Sequence, residues 1–205
     1  MEFDPNRVAV DFMIMPLSRH LAGDYITPAM RAAWKWSKKF VRYFPGGSRE
    51  LADGEPLGGS EAPEERAAVQ EQLHAFLTPL ASDIGAPIWD ERSSLEPRFH
   101  RVDPVSYGAL RAQANPKASK KPLLEALGEK KATPVHSTAT LFLPWKFDRT
   151  FFMPEPFERP TASVTRALEE LRSNSWSEEA LVARDMLIAA LEEAAEMRLP
   201  MIVDF

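Results

Sequence analysis

The chain has 205 residues, of which 44% are hydrophobic and 27% are charged, so it can bury a sizeable core and is not disordered as a whole. Its formal net charge of −5 argues against a general nucleic-acid-binding domain, because such domains are strongly basic. It contains no cysteine, which excludes disulfides, thiolate nucleophiles and cysteine metal ligands and fits a reducing compartment.

The first predicted element is a strand over residues 8–15, which are apolar and β-branched at their start and are followed by Pro16. Asp11 interrupts this run, and no basic region precedes it as in a signal peptide. No run approaches the roughly eighteen apolar residues of a membrane-spanning helix. We therefore expect a cytoplasmic protein that does not contact membranes.

The densest group of basic and aromatic side chains lies between Thr27 and Phe44, where five bases and five aromatic residues occur without an acid. Thr27 is a suitable N-cap and Pro28 suits the first helical position, so this stretch is predicted to be one helix that stops at Pro45-Gly46-Gly47. The bases are predicted to bind a partner, as a positive surface for a phosphate, an acidic protein or an anionic head group; they are Arg31, Lys35, Lys38, Lys39 and Arg42. The alternative is a solvated face over an aromatic core contact.

A mobile glycine-rich loop is predicted over residues 45–62, followed by a helix from Pro63 to about Ile84 that Pro79 should kink or end. His74 on that helix is interpreted as a structural or surface residue. Residues 85–134 are irregular and rich in proline and lysine, with short helices expected over 104–114 and 122–127.

The C-terminal third gives clearer signals for strands and helices. Strands are predicted over 135–143 and 149–153, a helix after Pro160-Thr161, and a mostly buried helix that Ser177 caps and Pro200 ends. The apolar segment Met201–Phe205 is predicted to dock in the sheet as a last strand. From Glu155 onward there are eleven acids and five bases. This part of the chain is therefore negative, opposite in sign to the basic segment between Thr27 and Phe44.

Three groups of residues offer the elements of a catalytic or metal site. His20 and Asp24 have the spacing of two residues on one helix face, but two ligands do not complete a metal site. Trp89-Asp90-Glu91-Arg92, with His100 and Asp103, supplies carboxylates, an imidazole and a cation within a short stretch, in which Asp90, Glu91 and His100 could act as acid and base. His136 precedes Ser137, yet no acid is placed by sequence to complete a triad.

These patterns predict an α+β domain over residues 1–205, with a small mixed or antiparallel sheet from the N-terminal, middle and C-terminal strands, covered by three or four helices. The absence of a cofactor motif or metal cluster favours a non-enzymatic protein-binding protein without cofactors. An immunity protein or antitoxin that inhibits a toxin or enzyme, or an adaptor, has this profile. The alternative is a hydrolase or transferase acting on an anionic substrate through Asp90, Glu91 and His100.

Overall fold

A computed structural model of the protein describes residues 9–28, 30–31, 39–43, 49–53, 63–115 and 135–204. The chain divides into two compact units, one containing Met15–Phe99 and the other containing Val8–Ile14 and His100–Phe205. The extent of the predicted domain, residues 1–205, stays a prediction. Within the described ranges, no helix has the length and apolar character needed to cross a membrane.

Eight strands are described, and six of them form an open mixed sheet in the order β4-β1-β8-β5-β7-β6. Strand β5 pairs parallel with β7, whereas the β1–β8, β5–β8 and β6–β7 pairs are antiparallel. The strands are β1 (Val10–Ile14), β2 (Lys39–Tyr43), β3 (Arg49–Asp53), β4 (Arg98–Val102), β5 (Leu141–Leu143), β6 (Phe151–Met153), β7 (Arg159–Ser163) and β8 (Met201–Asp204).

Five α-helices and one 3₁₀ turn accompany the strands in the described ranges, which confirms the predicted α+β class. They are α1 (Leu17–Leu21), α2 (Pro63–Ile84), α3 (Pro104–Ala114), α4 (Val164–Ser173), α5 (Glu178–Met197) and the 3₁₀ turn His136–Thr138. The predicted bounds of α2 and α3 are confirmed. The helix expected over residues 122–127 lies outside the described residues.

Strand β8 lies inside the sheet, between β1 and β5. Its side chains from Met201 to Val203 are fully buried, and its register with β1 places Val203 opposite Phe12 and Ile202 opposite Met13. A short apolar segment can hold such a position because both of its faces are covered. The predicted docking of this last strand is confirmed, and strands from both ends of the chain are neighbours.

Helices α3 and α5 are joined through one glutamine. Gln113 Nε2 donates to the Ser175 carbonyl at 3.0 Å, and its Oε1 accepts from the Ser177 backbone N–H at 2.9 Å. Helix α5 also buries a continuous apolar stripe, as its sequence predicts. The stripe consists of Ala180, Ala183, Leu187, Ala190, Leu191 and Ala194.

The long helix α2 continues through Pro79, so the prediction that this proline could end the helix is not realised. Leu73, Leu77 and Ala81 are spaced by four residues and are buried along one side of the helix. The short helix α1 packs against α2 in the same unit. These side chains form the buried face of α2.

The helix predicted from Thr27 to Phe44 is wrong over its second half. Residues 28, 30 and 31 are helical, but Lys39–Tyr43 forms β2 and pairs antiparallel with β3, Arg49–Asp53, inside the predicted loop. Phe40, Val41 and Tyr43 favour a strand, and Pro45-Gly46-Gly47 is as typical of a hairpin connection as of a helix stop. The strand forms because a second strand completes its backbone hydrogen bonds, which local periodicity does not reveal.

Two predictions in the C-terminal third need correction. The strand predicted over 135–143 is shortened to Leu141–Leu143, because His136–Thr138 forms a 3₁₀ turn. Strand β7 (Arg159–Ser163) is not predicted, because Pro160-Thr161 is typical of a helix start, whereas the helix begins at Val164. The Pro160 carbonyl accepts from the Thr140 N–H at 3.1 Å, so this proline still contributes an acceptor to the sheet.

Candidate ligand-binding cavity

A cavity of about 720 Å³ lies between helix α2 and the segment that follows it, within the first unit. One wall is a face of α2 at the helical spacing i, i+3, i+4 and i+7, and the other is the loop over residues 88–92. The volume is in the range of small-molecule sites in proteins. The lining residues are Ala67, Gln70, Glu71, His74, Ile88, Trp89, Asp90, Glu91 and Arg92.

Glu91 fixes the loop wall to the rest of the unit. Its side chain is 9% exposed, and its carboxylate accepts from the backbone N–H groups of Leu17 at 3.0 Å and Ser18 at 2.7 Å. These are the first two residues of α1, whose N–H groups have no partner within the helix. Glu91 therefore satisfies both donors and places its negative charge at the positive end of a short helix.

Two further contacts hold this wall rigid. The indole Nε1–H of Trp89, a residue only 6% exposed, donates to Glu91 Oε1. The Glu91 carbonyl accepts from Gln70 Nε2 at 2.9 Å and from Ser18 Oγ at 3.2 Å, which ties the loop to both α2 and α1. A carboxylate with three donors is already committed, so Glu91 supports the cavity and is not a free acid or base.

The rim of the cavity is polar and exposed. Glu71, His74, Asp90 and Arg92 are all exposed, and the Asp90 carboxylate accepts from the Arg92 backbone N–H at 2.9 Å. The described lining residues include three carboxylates and one guanidinium, so together they carry a negative excess when His74 is neutral. Such a rim attracts positive groups.

The predicted combination of Asp90, Glu91 and His100 stays a prediction. Asp90 and Glu91 line the cavity in the first unit, whereas His100 belongs to the second unit, where its Nε2 lies 2.6 Å from Glu193 Oε2. The histidine that does share the cavity with Asp90 is His74. Its exposure agrees with its interpretation as a surface residue.

The five predicted partner-binding bases do not lie on one helix. Arg31 is exposed, and Lys39 and Arg42 lie on β2, while Lys35 and Lys38 fall outside the described residues. The hairpin register pairs Lys39 with Asp53 and Arg42 with Glu50 as direct cross-strand neighbours. Two of the five bases therefore occupy register positions opposite an acid.

His20 and Asp24 do not make a metal pair. Asp24 Oδ2 lies 3.3 Å from Arg19 Nε, and the His20 ring stacks on Tyr25 with centroids 5.7 Å apart. Arg19 also donates to the Asp24 and Leu95 carbonyls at 2.6 and 2.9 Å. Across the described residues, no group of three or more metal-ligating side chains could hold an ion.

His136 and Ser137 do acquire an acid, but not in a catalytic arrangement. Glu170 accepts from the backbone N–H groups of His136 at 3.1 Å and Ser137 at 2.8 Å. His136 Nδ1 accepts from the Ser163 N–H at 3.1 Å, so its proton lies on Nε2, which faces the Asp148 carbonyl at 3.2 Å. Both ring nitrogens are therefore occupied, and this imidazole cannot activate a serine.

A surface charge network surrounds that turn. Arg166 contacts Asp148 through Nη2, and its Nη1 lies 2.6 Å from Glu169 Oε2, while Lys146 Nζ lies 3.6 Å from Glu169 Oε1. The hydrogen bonds from Arg166 lower the pKa of both carboxyl groups. All four charges are mutually paired, so this network stabilises a surface and leaves no free ligand group.

The sequence predicts the loop half of the cavity, Trp89 to Arg92, as a candidate site, but not its helical half. The signal for that half was present, since Ala67, Gln70, Glu71 and His74 share one helix face. Scans against family models, curated proteins and solved structures found no match for this chain. The function is therefore inferred from the geometry of the cavity.

Proposed function

We propose that this chain is a non-enzymatic protein-binding protein of the immunity, antitoxin or adaptor type, and that it binds a basic partner. The observation that carries this proposal is the cavity between α2 and the loop over residues 88–92. Glu91 holds its loop wall in place, and its carboxylates at the rim are exposed. A negatively charged concave surface steers a positively charged protein toward it and fixes the register of the complex.

Two features favour a binding surface over a structural ion-pair network. Within the described chain, Glu71 and Asp90 form no salt bridge with a side chain, so a partner's cation would not first have to displace an internal one. The loop wall of the cavity is held by Glu91, which reduces the conformational ordering of this loop that binding requires. Cytoplasmic residence belongs to the same proposal, because a cysteine-free chain fits a reducing compartment.

The test is capture of the partner with the purified full chain, identification by mass spectrometry, and titration of the two purified proteins. The Glu71→Lys, Asp90→Lys double variant should weaken binding by roughly a hundredfold, since each reversal replaces an attraction by a repulsion. The matched control is Asp83→Lys, an exposed acid of α2 that does not line the cavity. Its affinity should stay within about threefold of the parent.

A parallel variant reverses Lys35, Lys38 and Arg42, the bases that the sequence favoured as the contact. Loss of binding in this variant, with full binding by the double cavity variant, would assign the interface to the basic segment. Affinity that survives both sets of changes would contradict a charged contact altogether. The parent complex should also weaken as salt rises, because its exposed charges are screened.

A second candidate function follows because Asp90, His74 and Arg92 line the same cavity. These groups could serve an enzyme as base, acid and anion holder, with His74 in the place predicted for His100. The carboxylate excess opposes an anionic substrate, which ranks this candidate second. If Asp90→Ala with His74→Ala leaves every activity in a phosphatase, nuclease and transferase screen unchanged, the candidate fails.

A further inference from the structure

We infer that the cavity receives the guanidinium group of an arginine side chain presented by the partner. This inference rests on the proposed function and names the chemistry of the contact. The reasons lie in the shape, the charge and the rigidity of the lining, and they favour a guanidinium over an ammonium.

The apolar part of the lining suits a flat cation. Trp89 and Ile88 form the loop wall and Ala67 contributes a small side chain from α2. A guanidinium stacks on aromatic and apolar surfaces and is weakly hydrated, whereas the ammonium of lysine keeps its water. The indole cannot turn away easily, because its N–H donates to Glu91.

The polar part supplies acceptors from both walls. Glu71 comes from α2 and Asp90 from the loop, and both carboxylates are exposed. A guanidinium presents five N–H donors in a planar fork and can engage two carboxylates at once, whereas three ammonium donors lack that geometry. Among the lining residues that the structure describes, Arg92 is the one cation.

The size of the cavity favours a side chain attached to a protein over a free amino acid. Its volume of about 720 Å³ exceeds what a single guanidinium fills, so residues flanking the arginine can also enter. Because Glu91 holds the loop wall in place, this loop needs little conformational ordering on binding. A free amino acid would leave much of this space to water.

The experiment titrates the full chain with N-acetyl-arginine amide, N-acetyl-lysine amide and the neutral isostere N-acetyl-citrulline amide, followed by ¹H–¹⁵N NMR. We expect the arginine probe to shift the Trp89 indole and the amides of 88–92, with affinity at least threefold above the lysine probe. Citrulline should cause no saturable shift. An isolated side chain should bind with a Kd of about millimolar order.

The Glu71→Gln, Asp90→Asn variant keeps the side-chain shapes and should lower the arginine affinity by roughly tenfold, because two charge-assisted acceptors are weakened. Asp83→Asn is the matched control and should leave it unchanged. Both positions are exposed, so the folded state should be retained, as circular dichroism can verify.

The outcomes separate this inference from the proposed function. If no arginine shift occurs while the cavity reversal abolishes partner binding, the proposed function stands and the guanidinium inference is overturned. Equal binding of arginine and citrulline overturns it as well, since charge would then play no part. Free arginine that binds at micromolar Kd would make the small molecule the ligand and overturn the protein occupant. If neither the cavity variant nor the variant that reverses Lys35, Lys38 and Arg42 weakens partner binding, the proposed function itself is contradicted.

Discussion

At the scale of single residues, Glu91 shows how one buried carboxylate can organise a site without taking part in its chemistry. It joins α1, Trp89 and the loop wall through the backbone N–H groups of Leu17 and Ser18 and the Trp89 indole. The residues left exposed around it, Glu71 and Asp90, are free to face a ligand. The supporting role of Glu91 is thus separate from the recognition role that we propose for Glu71 and Asp90.

Replacing this buried carboxylate should therefore reduce stability. In Glu91→Gln, one backbone N–H faces an amide NH₂ that cannot accept, which should cost about 2–4 kcal/mol in the free energy of unfolding. Urea unfolding measures the loss. The control is Glu96→Gln on the exposed part of the same loop, expected within about 0.5 kcal/mol of the parent. Equal stability of the two variants would contradict a supporting role for Glu91.

At the scale of elements, helix starts show which local signals correspond to real contacts. Asp103 Oδ1 accepts from the Ser106 N–H at 2.8 Å at the start of α3, and Ser163 Oγ accepts from the Arg166 N–H at 3.3 Å at the start of α4. Ser177 precedes α5 in the predicted cap position but makes no side-chain cap bond. A suitable residue type is therefore necessary for such a cap but does not ensure it.

The capping difference leads to a paired prediction. Asp103→Ala should destabilise the protein by about 1 kcal/mol, whereas Ser177→Ala should cost less than about 0.5 kcal/mol. The hydrogen bond from the Ser106 backbone lowers the pKa of Asp103, so its stabilisation is present above the unfolded pKa of about 4 and is lost as pH falls through the lower folded pKa. Urea unfolding should show the Asp103→Ala deficit at pH 7 and a smaller one near pH 2.5. A constant deficit would contradict the charged cap.

At the scale of the whole molecule, the sheet depends on strands that are far apart in sequence. Strand β8 follows β1 by almost the length of the chain, yet the two are adjacent, and β5 pairs on the other side of β8. The Asp11 carboxylate is held by Arg101 from β4 in a bidentate contact of 2.7 Å at each oxygen. The sheet therefore forms only when both ends of this long stretch of chain come together, which carries an entropy cost of loop closure.

Truncating a side chain of this central strand should therefore affect global stability. Ile202 is fully buried, so Ile202→Ala should lower the free energy of unfolding by about 3–5 kcal/mol through lost burial and a cavity. Val182 on α5 is 58% exposed, and Val182→Ala should cost less than about 0.5 kcal/mol. Thermal unfolding followed by circular dichroism compares the two. Similar midpoints would show that β8 is not integral to the core.

The sequence alone determined the elements whose signals are local. The bounds of α2 and α3, the buried stripe of α5 and the apolar strand β8 follow from helical spacing, proline positions and short apolar runs. The α+β class follows from the same elements. Among the cavity residues, the polar segment from Trp89 to Arg92 was identified as a candidate site.

Tertiary structure decided whatever depends on partners distant in sequence. Residues 39–43 form a strand because 49–53 supplies the second half of a hairpin, and that pairing also sets Lys39 and Arg42 opposite acids. His74 lines the same cavity as Asp90 because α2 packs against the loop that follows it. Periodicity records which face a residue occupies on its own element, but only the folded chain determines what that face meets.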